Sequence, residues 1–126
     1  MDNLTEKLKS FVKERAWEVF HTPKNLAMGL NIEASELLEI FLWKDDNEAE
    51  NLSPKELEDL KEEIGDIMIY VANLSSKFGI DPVECGLQKL EINRQKYPAK
   101  LVKGSAKKYT EYNRKINNPQ QCSDPS

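Results

Sequence analysis

Thiol and imidazole chemistry have little to work with in this chain. Its 126 residues include two cysteines, Cys85 and Cys122, and one histidine, His21. A disulfide framework is not expected, and no Cys/His cluster offers zinc a tetrahedral site. Di-iron helical bundles use a Glu-x-x-His pair on each of two helices, and His21 lies outside any such motif. No Ser, Cys or His stands at the spacing of a nucleophile motif, so any hydrolysis is expected to proceed by direct attack of water. There is no Walker-type glycine–lysine loop to cradle phosphates. No apolar run approaches about 18 residues, so a membrane span is not expected. Met1-Asp2-Asn3 lacks the basic start and apolar stretch of a secretory signal. A reducing cytoplasm is the expected compartment.

What is present is charge, unevenly spread. The formal net charge is −4. Residues 33–66 hold thirteen acids against three lysines, and the rest of the chain holds nine acids against fifteen Lys and Arg. No long basic face dominates the part expected to be globular, which does not suit DNA or RNA binding. An acidic centre with a basic C-terminal stretch suits a metal held by the centre and an anion held by both. The competing reading is that the acids merely solvate helix surfaces.

Four helices are legible. Leu4, Leu8, Phe11, Val12, Ala16 and Val19 recur at mostly three- and four-residue steps, predicting a helix from about 4 to 20. His21-Thr22-Pro23 interrupts it. A second helix is expected from about Asn25 to Trp43, followed by a polar loop from Lys44 to Leu52. Ser53-Pro54-Lys55-Glu56 combines a capping hydroxyl, a proline at the first helical position and an acid three residues after the cap. The helix it starts should stop at Gly79. Asp81-Pro82-Val83-Glu84 repeats the start signal for a fourth helix, which should end near Tyr97 because Pro98 disfavours helical geometry before it. The expected organisation is a helical domain over 1–98, a basic extension over 99–116 and a disordered tail over 117–126.

Two acid pairs stand out: Glu33-x-x-Glu36 and Glu63-x-x-Asp66. Three-residue spacing puts both members of a pair on one helix face. The second helix also carries apolar residues on several sides, as a helix buried on several sides would. Burying an unpaired carboxylate costs several kcal/mol, about as much as a cation or partner must return. Only Lys44 is a nearby base in sequence. An all-oxygen ligand set points to Mg²⁺, with Mn²⁺ as a substitute, over Zn²⁺ or Cu²⁺.

The arrangement Glu-x-x-Glu, then 26 residues, then Glu-x-x-Asp resembles the MazG-like all-α nucleoside triphosphate pyrophosphohydrolases. The segments Arg15–Leu26, Phe41–Lys44, Glu62–Tyr70, Ile92–Pro98 and Lys107–Glu111 resemble the dCTP pyrophosphatase branch of that superfamily. The likeness spans residues 4–112. Ala34-Ser35 and Gly65 depart from the branch's common residues without altering a ligand.

The resemblance implies a four-helix bundle assembled as a dimer or as a tetramer of two dimers, which also suits a second helix with more apolar faces than one chain can cover. It implies hydrolysis of (d)NTP to (d)NMP and pyrophosphate, with dCTP or related pyrimidine deoxynucleotides preferred. It implies metal ligation by Glu33, Glu36, Glu63 and Asp66. Glu36, Glu62 and Glu63 are the candidates for catalytic roles, with Glu36 or Glu62 as the base. Trp17, His21, Trp43 and Tyr70 resemble base and sugar contacts, and Asn93 the residue that reads the base edge. Lys107 and Lys108, and more weakly Lys96 and Lys100, are candidates for the triphosphate. A catalytically silent nucleotide sensor or interaction module is the alternative.

Overall fold

A computed structural model describes residues 1–99, and every regular element among them is helical. The described chain divides after Pro82 into two compact units. The expected basic extension and tail, with Lys100, Lys107 and Lys108, lie outside the described residues.

The first unit contains α1 (Asp2–Glu14), a short 3₁₀ turn (Glu18–Phe20), α2 (Pro23–Phe41), α3 (Asp46–Glu50) and α4 (Pro54–Lys77). The second contains α5 (Pro82–Lys96), whose start signal was legible in Asp81-Pro82.

The first helix is shorter than its apolar spacing predicts. It stops at Glu14, because the Ala16 N–H bonds back to the Lys13 carbonyl (3.1 Å) and the Trp17 N–H to the Val12 carbonyl (3.1 Å). That pair of bonds is a Schellman motif. It places Ala16 at φ 51°, a left-handed conformation that ordinarily selects glycine. No glycine announced the stop. The turn releases Trp17 from the helical spacing and packs it edge-on against Phe11, with ring centroids 5.7 Å apart. Arg15 caps the cluster, its guanidinium 3.7 Å above the Phe11 ring.

The start of α2 follows from Thr22-Pro23. The Asn25 N–H donates to Thr22 Oγ1 at 3.2 Å, and proline at the first helical position loses no needed donor. The polar loop expected at 44–52 contains α3, started by a capping box in which the Glu48 N–H donates to Asp45 Oδ1 (2.8 Å) and the Asp45 N–H to Glu48 Oε1 (3.3 Å). The α4 start is as expected: Ser53 and Glu56 form a reciprocal capping box. So is its stop, with Gly79 at φ 63° and the Ile80 N–H bonded to the Ser75 carbonyl at 3.0 Å.

Helices α2 and α4 pack as an antiparallel pair, and α1 packs on α4. Contacts along the pair fix its register. Lys44 pairs with Glu56 at one end. Glu33 meets Glu63 near the middle. Gly29 faces the Tyr70 ring beyond that, and His21 bonds Asn73 at the far end. The close approach at Gly29 depends on its missing side chain, since a Cβ there would land on the Tyr70 ring. Val12 of α1, Leu26 of α2 and Ala72 of α4 form the fully buried core.

Candidate metal and nucleotide site

The antiparallel register turns two sequence pairs into one constellation. Glu33 and Glu36 stand one turn apart on α2, and Glu63 reaches them from α4. One carboxylate oxygen from each lies within 4.8 Å of the others. Asp66 falls outside this trio, yet its charge bears on both Glu33 and Glu63. The structure therefore converges three of the four expected ligands and places the fourth beside them.

The trio is electrostatically unsatisfied. Glu33 Oε2 and Glu63 Oε2 are buried atoms with no hydrogen-bond donor in reach. Burial, followed by hydrogen bonding to Glu63 and Glu36 and by the charges of Glu36 and Asp66, pushes the Glu33 carboxyl up to about 7. Burial also raises Glu63, reinforced by the Glu36 charge, while a bond from Glu33 works in the opposite direction. Both carboxyls are thus held above their ordinary range, Glu33 the more strongly. A divalent cation fits this place: it satisfies the orphaned oxygens with a hard, oxygen-seeking charge.

Around the trio opens a cleft of about 370 Å³, lined by Glu36, Glu39, Ile40, Asp59, Glu62 and Glu63. Glu39 and Asp59 had not been singled out from the sequence as site residues. Their signal was present in the helical steps Glu36-x-x-Glu39 and Asp59-x-x-x-Glu63. Glu39, Ile40 and Asp59 also line an adjoining hollow of about 350 Å³, which Trp43, Lys44, Glu48 and Glu56 complete. A continuous trough thus runs from the trio to Trp43, and Trp43 is 89% exposed. Lys44 is the one cation lining that trough among the described residues.

The other expected nucleotide contacts lie elsewhere. His21 and Trp17 precede α2, whereas Trp43 follows it. A 19-residue helix separates them, about 28 Å of rise. Tyr70 sits between the trio and the His21 end, packed over Gly29. One protomer therefore does not gather Trp17, His21 and Trp43 around a single base. Asn93 and Lys96 belong to α5 in the second unit.

Known proteins share this architecture. A family model described as the MazG-like family matches residues 28–112. The chain is 44% identical over 103 residues to dCTP pyrophosphatase 1 of Homo sapiens, and 43% identical over the same length to that of Mus musculus. Each alignment covers 80% of this chain and 61% of the relative, so the chain spans about three-fifths of the length of the curated relatives it matches. The crystal structure of a pyrophosphatase from Archaeoglobus fulgidus DSM 4304 superposes with a TM-score of 0.73 at 39% identity, covering 78% of this chain and 92% of that one.

Proposed function

This chain belongs to the MazG-like family, and from that membership we propose that it is a Mg²⁺-dependent nucleoside triphosphate pyrophosphohydrolase acting in the cytoplasm, with dCTP or a related pyrimidine deoxynucleotide as preferred substrate. The observation that carries the reading is the convergence of Glu33, Glu36 and Glu63 around two buried, donorless carboxylate oxygens. The reaction is (d)NTP + H₂O → (d)NMP + pyrophosphate. Water supplies the oxygen that bonds to phosphorus, and the phosphoanhydride bond to the departing pyrophosphate breaks.

Glu33, Glu36 and Glu63 would hold the cation, with Asp66 as a fourth ligand or a charge beside them. Bound there, a divalent cation neutralises phosphate oxygens and acidifies water. The chain's own groups do the rest. Exposed Glu36 and Glu62 border the cleft, and either can accept the proton of the attacking water. The five acids lining the cleft repel a bare triphosphate, so phosphate is admitted only as its cation complex. Trp43, at the open end of the trough, offers a flat face for the base. By the family resemblance Trp17, His21, Tyr70 and Asn93 would add further base and sugar contacts, and Lys107 and Lys108, outside the described residues, would meet the phosphates. Because Trp43 and Trp17 lie at opposite ends of α2, the complete base pocket combines residues of two copies in a dimer or tetramer.

A panel of NTPs and dNTPs with Mg²⁺, scored for pyrophosphate against orthophosphate, tests the reading. Pyrophosphate release, highest with dCTP, supports it, and Glu63→Gln should abolish turnover. Orthophosphate as the first product, or an unimpaired Glu63→Gln enzyme, overturns it. Binding of dCTP without any turnover would leave a nucleotide sensor.

A further inference from the structure

The functional stripe on α4 extends one turn beyond its acids. Glu63, Asp66 and Tyr70 follow three- and four-residue steps, and Asn73 continues them on the same helix face. Asn73 stands ten residues from Glu63, about 15 Å along the axis. Its side chain meets His21, 52 residues away in sequence, with Nδ2 and the ring Nδ1 2.8 Å apart in a partly buried contact.

The orientation of the amide sets the chemistry of that contact. With its amide nitrogen toward the ring, Asn73 donates through Nδ2 and His21 Nδ1 accepts. In the neutral ring the proton then resides on Nε2. His21 is otherwise held edge-on to Trp17, with ring centroids 6.4 Å apart, and Asn25 Nδ2 donates to the Phe20 carbonyl just before it at 3.1 Å. The ring is therefore held in orientation from two sides. His21 and Asn73 line a cavity of about 260 Å³ between α1 and α4, with Lys9, Lys13 and Lys77 around it and Glu18 as its acid. Its volume is below that of sites enclosing whole drug-sized ligands, and it admits a single ring or sugar. Three lysines and a donor-only histidine favour oxygen acceptors.

We propose that Asn73 is a positioning residue that locks His21 in its Nε2–H tautomer, so that His21 offers a donor, and not an acceptor, to an oxygen of the nucleoside part of the substrate. This rests on the reading above that His21 touches the nucleotide. Asn73 itself makes no contact with the reacting atoms.

The single histidine makes the test clean, since every imidazole signal belongs to His21. Long-range proton–nitrogen spectra of the neutral ring should show Nε2–H in the wild type. Asn73→Asp should reverse the tautomer, because a carboxylate accepts from Nδ1–H. It should raise KM for dCTP about tenfold, the cost of facing an acceptor with an acceptor, while kcat stays within about twofold. Asn73→Leu removes the lock but leaves the tautomer that free imidazole favours, so its KM should stay within about threefold. Melting curves confirm that both variants are folded. An Nδ1–H signal in the wild type overturns the lock. A reversed tautomer with unchanged KM overturns the role in recognition, as does an equal KM rise in both variants. If the wild type turns over no nucleotide, the proposed function fails instead, and the tautomer spectrum still decides the lock.

Discussion

Glu33 carries the sharpest consequence of the site. In the metal-free fold its carboxyl stands at about 7 against an ordinary 4.5. Between those values the folded chain holds a proton that the unfolded chain has lost. Its contribution to stability is therefore fully present below about pH 4.5 and is lost as pH rises through about 7. A cation held by the proposed trio would oppose this trend, since ligation needs the deprotonated carboxylate. Thermal melts should show the metal-free protein losing stability across that window, with Mg²⁺ raising Tm more at about pH 8 than at about pH 5. Glu33→Gln should flatten the metal-free slope, abolish the Mg²⁺ shift and reduce turnover at least about a hundredfold, because several kcal/mol of charge stabilisation depend on the cation. The acid pairs were legible as spacing. That Glu33 and Glu63 are the orphaned members, while Glu36 stays exposed, was not, because burial depends on what the opposite helix brings.

At the scale of elements, helix ends explain both the agreement and the departures. The α4 start, Ser53-Pro-Lys-Glu56, was readable because all its partners lie within four residues. Tertiary structure then gave Glu56 a second task. Its Oε1 accepts from the Ser53 N–H at 2.9 Å, and its Oε2 pairs with Lys44 at the end of α2. Lys44 first, and Ser53 after it, hold the Glu56 carboxyl down to about 2. That stabilisation is present above the ordinary carboxylate value and is lost as pH falls through about 2. Urea midpoints measured against pH should show Lys44→Met lowering stability at neutral pH and shrinking the acid loss between about pH 4.5 and 2. The end of α1 was not readable. Apolar periodicity continues through Ala16 and Val19, and alanine does not announce a left-handed turn. Ala16→Gly should stabilise the fold by about 0.5–1 kcal/mol in urea unfolding, as the strain at φ 51° exceeds the backbone entropy that glycine adds.

Taken as a whole, the described residues leave much of their apolar surface uncovered. Only Val12, Leu26 and Ala72 are fully buried among the described residues. Met28, Ile32 and Leu38 of α2 lie off the side that carries Leu26, Leu30 and Leu37, Leu42 follows as its C-cap, and each of the four is about half exposed. A helix with two apolar faces, packed chiefly on α4 among the described residues, has a face open to a further partner. Sedimentation at micromolar concentration should find a dimer or tetramer. Ile32→Lys with Leu38→Lys should shift it toward monomer and raise KM together, if the proposed base pocket draws on both ends of α2. A fully active monomer would remove the shared-site reading.

Local chemistry determined the helix starts, the glycine stop of α4, the all-helical class and the identity of the acids, because capping, periodicity and ligand type act over three or four residues. Folding decided the rest. The antiparallel register of α2 on α4 brings Glu63 to Glu33 and Glu36, sets Asp59 beside Glu39 in the cleft and joins Asn73 to His21. Those pairings span tens of residues. No local pattern encodes them, since they arise only where two helix faces meet and exclude water between them.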